Sequence, residues 1–251
     1  MRRIFSFFTK NSYLVLFLFL HFSLHSQENT PDSIPSKSSK VLLKRGIVPA
    51  TLIGSGFIIN YHKFEQNLQP SLQENVSEDA QFYLEDYLQF MPIAEMYIVD
   101  LIGIKSKNHW FDQTKYLGFS NLISAGLALG LKHVTQKTGP NGLPFSFPSG
   151  HTTFAFTNAT VFFNEFNETS PLLAYSSYAF ATATGTLRML HNEHWLSDVL
   201  VGAGIGMLSA HLVYFFEPLK KFNPFLTSDN ISLAPIINED RYGVYFAYRF
   251  K

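Results

Sequence analysis

Pro148-Ser149-Gly150-His151 lies near the middle of residues 132–198, the stretch around which the rest of the chain is organised. Ser149 is a favourable N-cap for a helix, and Gly150 allows a ligand to approach the backbone closely. Free N–H groups at a helix start bind anions, with help from the helix dipole. His151 would stand beside such an anion, where a general acid or base is useful. Taken alone, the four residues fit a plain turn with a capping serine equally well.

A histidine and an aspartate four residues apart, His194 and Asp198, follow at the start of the last long apolar segment. On a helix this spacing places both on one face, so that the carboxylate accepts a hydrogen bond from one imidazole nitrogen. The other nitrogen keeps its lone pair, and the carboxylate stabilises the imidazolium as it forms. Arg188, six residues before His194, carries a guanidinium that matches two phosphate oxygens. Separately these residues also fit a helix-surface ion pair and an interfacial charge, but with Lys132 and His151 they indicate a site that holds and transfers a phosphate.

The composition indicates a chain with much buried or lipid-facing surface. Apolar residues make up 46% and charged residues 15% of the 251 residues, against roughly a quarter charged in ordinary soluble domains. The 19 basic and 19 acidic residues balance, and no basic stripe occurs, which argues against a nucleic-acid partner. The chain has no cysteine, which excludes disulfides, thiolate catalysis and cysteine metal sites. The sequence also has no clustered carboxylate–histidine ligand set, so we expect no metal cofactor.

The first 26 residues predict either a secretory signal peptide or an N-terminal membrane anchor. A basic start precedes an apolar run at residues 13–24, and polar residues follow at once. This is the order of a secretory signal, although Leu24 stands where a small residue is preferred before cleavage after Ser26. Either alternative sends the chain out of the cytoplasm, and export without cysteines is compatible with a bacterial cell envelope.

The body of the chain predicts an all-α fold, a six-helix bundle, because it has six apolar segments of helical length and no alternating strands before residue 230. Between the first two segments, residues 62–86 are acidic and polar, and in a six-span topology this loop would face outward. In the tail, alternation around residues 238–241 predicts a short β-hairpin, to which we assign no chemistry. The apolar segments are residues 47–61, 87–104, 116–131, 152–166, 172–190 and 196–216.

These boundaries divide the chain into residues 1–26 as signal peptide or anchor, 27–46 as polar linker, 47–221 as helical domain and 222–251 as hairpin tail. The last apolar segment alone comes comfortably near the roughly 20 residues that a membrane-spanning helix needs. Basic flanks favour a six-span topology with the motif loop outside, whereas a cleaved signal would reverse it. The leader could stay as an extra span, one segment could fail to span, or an exported bundle could sit on a membrane. In each case we expect membrane association.

Three blocks of this stretch resemble the type 2 phosphatidic acid phosphatase and vanadium haloperoxidase superfamily. That family carries Lys, six residues, Arg-Pro; then Pro-Ser-Gly-His; then Ser-Arg, five residues, His, three residues, Asp. The resemblance covers about residues 85–217, and its second block is complete here. In this chain the family positions are Lys132, Gly139-Pro140, residues 148–151, Leu187-Arg188, His194 and Asp198.

Two positions depart from the family pattern. Leu187 replaces its serine, and Gly139 replaces its arginine, which removes a phosphate-binding cation. Losing one such donor typically costs about 10²–10³ in rate. Lys137 is near enough in the sequence to be a possible substitute cation.

The resemblance implies a membrane-associated bundle of the phosphatidic acid phosphatase/haloperoxidase type that transfers a phosphoryl group in two steps. It makes His194 the nucleophile that becomes a phosphohistidine, Asp198 the group that orients it, and His151 the acid that protonates the leaving alkoxide and then activates water. The substrate would be a phosphomonoester or diphosphate of a lipid, with the site facing the periplasm and no metal required. The phosphate oxygens would be held by Lys132, Ser149, Gly150 and Arg188.

Two alternatives stay open. A vanadate-dependent haloperoxidase would use the same pocket, with vanadate resting where phosphate would bind. A degenerate, non-catalytic membrane protein would keep the bundle without the chemistry. The membrane-like bundle and the apolar loop beside the site favour the lipid phosphatase.

Overall fold

The computed structural model describes residues 37–74, 83–216, 231–238 and 241–248, which contain eight helices and one β-hairpin. The expected leader at residues 1–26 lies outside these ranges. The helices are α1 (Lys37–Ile59), α2 (Lys63–Gln73), α3 (Glu85–Leu88), α4 (Met91–Leu101), α5 (Trp110–Thr135), α6 (Gly150–Phe166), α7 (Pro171–Leu190) and α8 (Leu196–Phe215). The strands are β1 (Ile231–Asn238) and β2 (Arg241–Tyr248), paired antiparallel as the expected hairpin.

The all-α prediction is confirmed, and the six apolar segments correspond in order to α1, α4, α5, α6, α7 and α8. Two differences stand out. Helix α1 begins at Lys37, so the second half of the expected linker is helical. The acidic segment 62–86, expected to be an outward-facing loop, instead contains α2 and the start of α3. Its buried face is polar, and an apolar periodicity does not detect such a face.

Helix α8 lies at the centre of the bundle and packs against α5 and, most extensively, α6. It can do so because its sequence from Gly202 to Gly206 is almost free of large side chains. A Cβ at Gly202 would lie 2.8 Å from Ser149 O, and one at Gly206 would lie 2.5 Å from Thr153 O. The missing side chains therefore let α8 approach the start of α6, which carries the Pro148–His151 block.

The far end of the same helix pair is held by aromatic packing. Phe162 and Phe166 of α6 are fully buried, and their ring centroids lie 4.8 Å apart. Met96 of α4 and Ala210 of α8 belong to the same core cluster. This apolar end leaves the opposite, polar end of the bundle free for chemistry.

One helix among the described residues, Leu196–Phe215, is long and apolar enough to cross a membrane. It has a mean hydropathy of 1.6 over its most apolar window, and 67% of that window is buried inside the protein. A central core helix has the same properties. Its composition alone therefore does not decide whether it spans a bilayer.

Replacing Gly206 with alanine is expected to destabilise the fold by about 1–3 kcal/mol, because the added methyl group meets backbone atoms of α6 that cannot rotate away. The matched control is Gly126→Ala on α5, where no heavy atom lies within 4 Å of the added Cβ. Alanine favours a helix by about 1 kcal/mol over glycine, so the control should be neutral or stabilising. Thermal unfolding in detergent measures both. Equal unfolding temperatures for the two variants would contradict this account of α8 packing.

Candidate active site

The three sequence blocks meet at one cavity of about 290 Å³. It lies between the C-terminal end of α5, the N-terminus of α6 and the loop from α7 to α8. Both histidines therefore face a single space together with two cations and a helix start. The predicted site residues that line the cavity are Lys132, Gly150, His151, Arg188 and His194.

The side chains of Ser146 and Asp198 orient the His194 ring through contacts with Nδ1. Ser146 Oγ donates its proton to Asp198 Oδ2 in a short hydrogen bond, so it can only accept at Nδ1, which lies 3.2 Å away. Asp198 Oδ2 itself lies 3.5 Å from Nδ1. The proton of the neutral imidazole is therefore on Nδ1. Nε2, on the other edge of the ring, keeps a lone pair for the cavity.

Asp198 is buried behind His194 and does not line the cavity. It is the third residue of α8, and its Oδ2 accepts a hydrogen bond from Trp195 N at 3.0 Å, which caps the helix. Its Oδ1 accepts from Lys137 Nζ at 3.0 Å. The carboxylate thus joins the helix start, the imidazole and a buried lysine.

Lys137 does not substitute for the missing family arginine. Its ammonium is 2% exposed, lies outside the cavity, and donates to Asp198, Ser197 Oγ at 2.7 Å and Glu65 Oε1 at 3.0 Å. A buried cation with three close acceptors has no donor left for a phosphate. The prediction of a substitute cation at this position was wrong. Lys137 is close to Gly139 in the sequence, but its side chain points into the protein and away from the cavity.

Ser149 also differs from its expected role as a phosphate ligand. Its backbone N–H donates to Asp198 O at 3.0 Å, and its side chain accepts from Thr152 Oγ1 at 2.9 Å and from the Thr152 N–H as the α6 N-cap. The residue is fully buried and does not line the cavity. Ser149 therefore ties the second block to the third, and Gly150 is the member of the pair that faces the cavity.

Protein oxygen atoms hold each of the two cavity cations, Lys132 and Arg188. Lys132 Nζ donates to Phe145 O at 2.6 Å and to Ser146 O at 3.4 Å, which leaves one N–H for an anion. Arg188 lies 3.5 Å from Glu85 Oε1 and 3.4 Å from Glu193 Oε2, and its side chain is 12% exposed. Both cations are thus placed before any anion arrives, as electrostatic stabilisation of a phosphoryl group requires.

At the position of the missing arginine, a side chain would require neighbouring atoms to move. A Cβ at Gly139 would lie 2.9 Å from Asn141 Oδ1 and 3.2 Å from Glu193 O. Asn141 Nδ2 donates to Glu193 Oε2 at 3.0 Å, and both side chains line the cavity. Where the family has a cation, this chain therefore presents an amide and a carboxylate.

Burial favours the neutral form of both cavity histidines. Burial lowers the pKa of His194, against the opposing effect of its hydrogen bond to Asp198. Burial also lowers the pKa of His151, helped by the charge of Arg188 and opposed by Asp86. A neutral His194 is ready to act as a nucleophile, whereas His151 must gain a proton before it can act as an acid.

Sequence reasoning missed the polar face of α2, which holds the loop before α8. Glu65, Gln69 and Gln73 are spaced four residues apart and therefore share one face. Gln69 and Gln73 donate to the last carbonyls of α7, Met189 O at 2.8 Å and Leu190 O at 3.0 Å. The spacing was visible in the sequence, but nothing there distinguishes a buried polar face from a solvated one.

Comparisons with known proteins find similar sequences over the stretch that forms this site. The family model of the PAP2 superfamily matches residues 127–221, which include all three blocks. A similar curated protein is Lipid A 1-phosphatase of Porphyromonas gingivalis, 30% identical over 138 residues. The alignment covers 54% of this chain and 31% of that relative, so the chain spans about a third of the relative's length.

Two solved structures are similar at lower identity. LpxE of Aquifex aeolicus has a TM-score of 0.46 and 19% identity, covering 60% of this chain and 94% of its own. A transmembrane PAP2 type phosphatidylglycerolphosphate phosphatase of Bacillus subtilis has a TM-score of 0.47 and 20% identity, covering 70% and 99%. Over residues 127–221, this chain is therefore similar to the PAP2 superfamily.

Proposed function

We propose that the chain is a lipid phosphatase that hydrolyses a phosphomonoester or diphosphate through a phosphohistidine intermediate. The observation that carries the proposal is that His151 and His194 face one cavity with Lys132 and Arg188. A tetrahedral anion in that cavity would have a nucleophile, an acid and two cations within reach. This is the set of groups that phosphoryl transfer needs.

In the first step, His194 Nε2 forms a bond to phosphorus as the bond from phosphorus to the leaving oxygen breaks. His151, protonated beside the dianionic ester, gives its proton to the leaving alkoxide. Asp198 and Ser146 stabilise the positive charge that develops on the His194 ring. In the second step, His151 takes a proton from water, the hydroxide attacks phosphorus, and the nitrogen–phosphorus bond breaks to release phosphate.

A second, apolar cavity supports a lipid as the substrate. It has a volume of about 440 Å³, adjoins the first, and shares Lys132, Gly150 and His151 with it. Phe90 and Phe154 are among its lining residues. A phosphate in the polar cavity would thus have an apolar groove beside it for a hydrocarbon chain. The name of the curated relative makes phosphorylated lipid A one candidate, beside phosphatidic acid, phosphatidylglycerol phosphate and polyprenyl diphosphate.

We also propose that the protein is membrane-associated in the cell envelope, with the site on the periplasmic side. Large apolar side chains are exposed on several helices, including Leu101 at 85%, Leu122 at 68% and Leu172 at 87%. Exposed apolar surface of this extent is typical of a membrane or partner contact. The basic start and apolar run of the first 26 residues support export.

Phosphate release from these four lipids by the full-length protein in detergent, in the presence of EDTA, tests the proposal. We expect release from at least one lipid, unchanged by EDTA, because Lys132, Arg188 and the start of α6 supply the positive charge that a metal would otherwise provide. Water-soluble glycerol phosphate is the control and should react more slowly. No release at any pH would favour a degenerate protein, and bromide oxidation with vanadate and peroxide would favour a haloperoxidase.

A further inference from the structure

The one-turn helix α3 brings two adjacent carboxylates to the cavity, and neither belongs to the three family blocks. Glu85 is fully buried and lies 3.5 Å from Arg188 and 2.6 Å from His191 Nδ1. Asp86 is half exposed, and its Oδ1 lies 3.1 Å from His151 Nε2. One helical turn therefore contacts both a site cation and the histidine that acts as acid and base.

Packing on both sides fixes the position of α3. Before it, the ring of Tyr83 packs edge-on against His191, with centroids 5.1 Å apart. After it, Phe90 packs edge-on against Phe154 of α6, with centroids 5.2 Å apart. Aromatic contacts thus hold α3 on both sides of Asp86, although Tyr83, Phe90 and the Asp86 side chain all reach solvent.

Resting on the proposed function, we propose that Asp86 is a positioning residue for His151. Its carboxylate accepts a hydrogen bond from Nε2–H, which sets the ring orientation and favours the protonated form that donates to the leaving group. Nδ1, which has no hydrogen-bond partner among the described residues, is then the nitrogen that faces the reaction. The arrangement repeats, from a different helix, the way in which Asp198 orients His194.

The charges around His151 determine how Asp86 affects the pKa of that imidazole. Arg188 and His194 lower the pKa of His151, and Lys132 lines the same cavity with a further positive charge. Asp86 opposes them, and Glu193 lines the same cavity with a further negative charge. Removing the charge of Asp86 would therefore lower the pKa of His151 further. The protonated fraction of His151 would then be lost at a lower pH.

The test is Asp86→Asn in the full-length protein, with Glu168→Gln as the matched control. Glu168 is an exposed carboxylate paired with Lys107 and does not line the cavity, so the control removes the same charge elsewhere. We expect Asp86→Asn to lower kcat/KM for an alkyl phosphate about three- to tenfold on the alkaline side of the pH profile, since half-exposed pairs are partly screened. On the acid side the loss should be within about twofold, because His151 is protonated there in both proteins.

Two further measurements separate positioning from a merely structural role. With p-nitrophenyl phosphate, whose leaving group needs no proton, phosphoenzyme formation in Asp86→Asn should stay close to wild type. Independently of activity, modification of His151 by diethyl pyrocarbonate, followed by peptide mass spectrometry, reports its neutral fraction. That fraction should be higher in Asp86→Asn than in wild type at mildly acidic pH.

An unchanged modification profile of His151 would overturn the inference, whether or not the protein is an active phosphatase. Faster turnover of the alkyl phosphate by Asp86→Asn would also overturn it, since Asp86 would then block His151 instead of orienting it. If wild type releases no phosphate but the modification profile shifts as expected, the contact stands and the proposed function fails.

Discussion

His194→Ala is expected to lower phosphate release at least about a hundredfold, because it removes the atom that forms the covalent intermediate. The residue is 7% exposed, and its ring is held by Ser146 and Asp198 rather than by the apolar core. The fold should therefore persist, and the loss should be in kcat. Initial rates on the best substrate of the panel measure the effect.

The matched control is His133→Ala. His133 lies next to Lys132 on α5, but its side chain is exposed, contacts Leu129 O at 2.8 Å and does not line the cavity. Its replacement should leave the rate within about twofold of wild type, as is usual for surface substitutions. Intact activity in His194→Ala would show that the nucleophile is another group.

The intermediate itself gives a second measurement of the same prediction. In His151→Ala the second step lacks the base that activates water, so the phosphoenzyme should accumulate when an activated aryl phosphate is the substrate. Peptide mass spectrometry at alkaline pH, where phosphohistidine survives, should find the added phosphoryl group on His194. A phosphoryl group on any other residue would contradict the assignment.

Much of the fold, and the pairing of His194 with Asp198, could be predicted from the sequence, because both depend on residues that are close together in the chain. The apolar segments set the helices, and the four-residue spacing of His194 and Asp198 puts one behind the other. That His151 joins them depends on α8 approaching α6 at Gly202 and Gly206, and sequence alone does not display that contact. The meeting of the two histidines rested on the family resemblance.

The structure differs from the sequence prediction at residues whose role depends on the direction in which the side chain points. Lys137 and Ser149 stand within the expected blocks, yet both point into the protein and support Asp198 and α6. Asp86 and Glu65 stand in a segment that looked like an acidic, solvated loop. Periodicity methods assume that buried faces are apolar, so polar residues that hold an active site from behind escape them.

Lys137→Met is expected to destabilise the fold by about 3–5 kcal/mol, because it leaves the buried carboxylates of Glu65 and Asp198 without their cation. Their side chains are 2% and 0% exposed, so solvent cannot take the place of the ammonium. For a chain of this size the loss corresponds to a fall of roughly 6–20 °C in the unfolding temperature. Thermal unfolding of the purified protein measures it.

Two companion variants make the Lys137 prediction specific. Lys132→Met removes a cation that lines the cavity, so it should lower kcat/KM while the unfolding temperature changes little. Adding Glu65→Gln to Lys137→Met removes one of the two orphaned charges and should restore part of the lost stability. If Lys137 held the phosphate instead, Lys137→Met would raise KM and leave the unfolding temperature unchanged. A lower unfolding temperature in Lys137→Met would therefore show that Lys137 supports Asp198, whereas a higher KM with an unchanged unfolding temperature would show that it binds substrate.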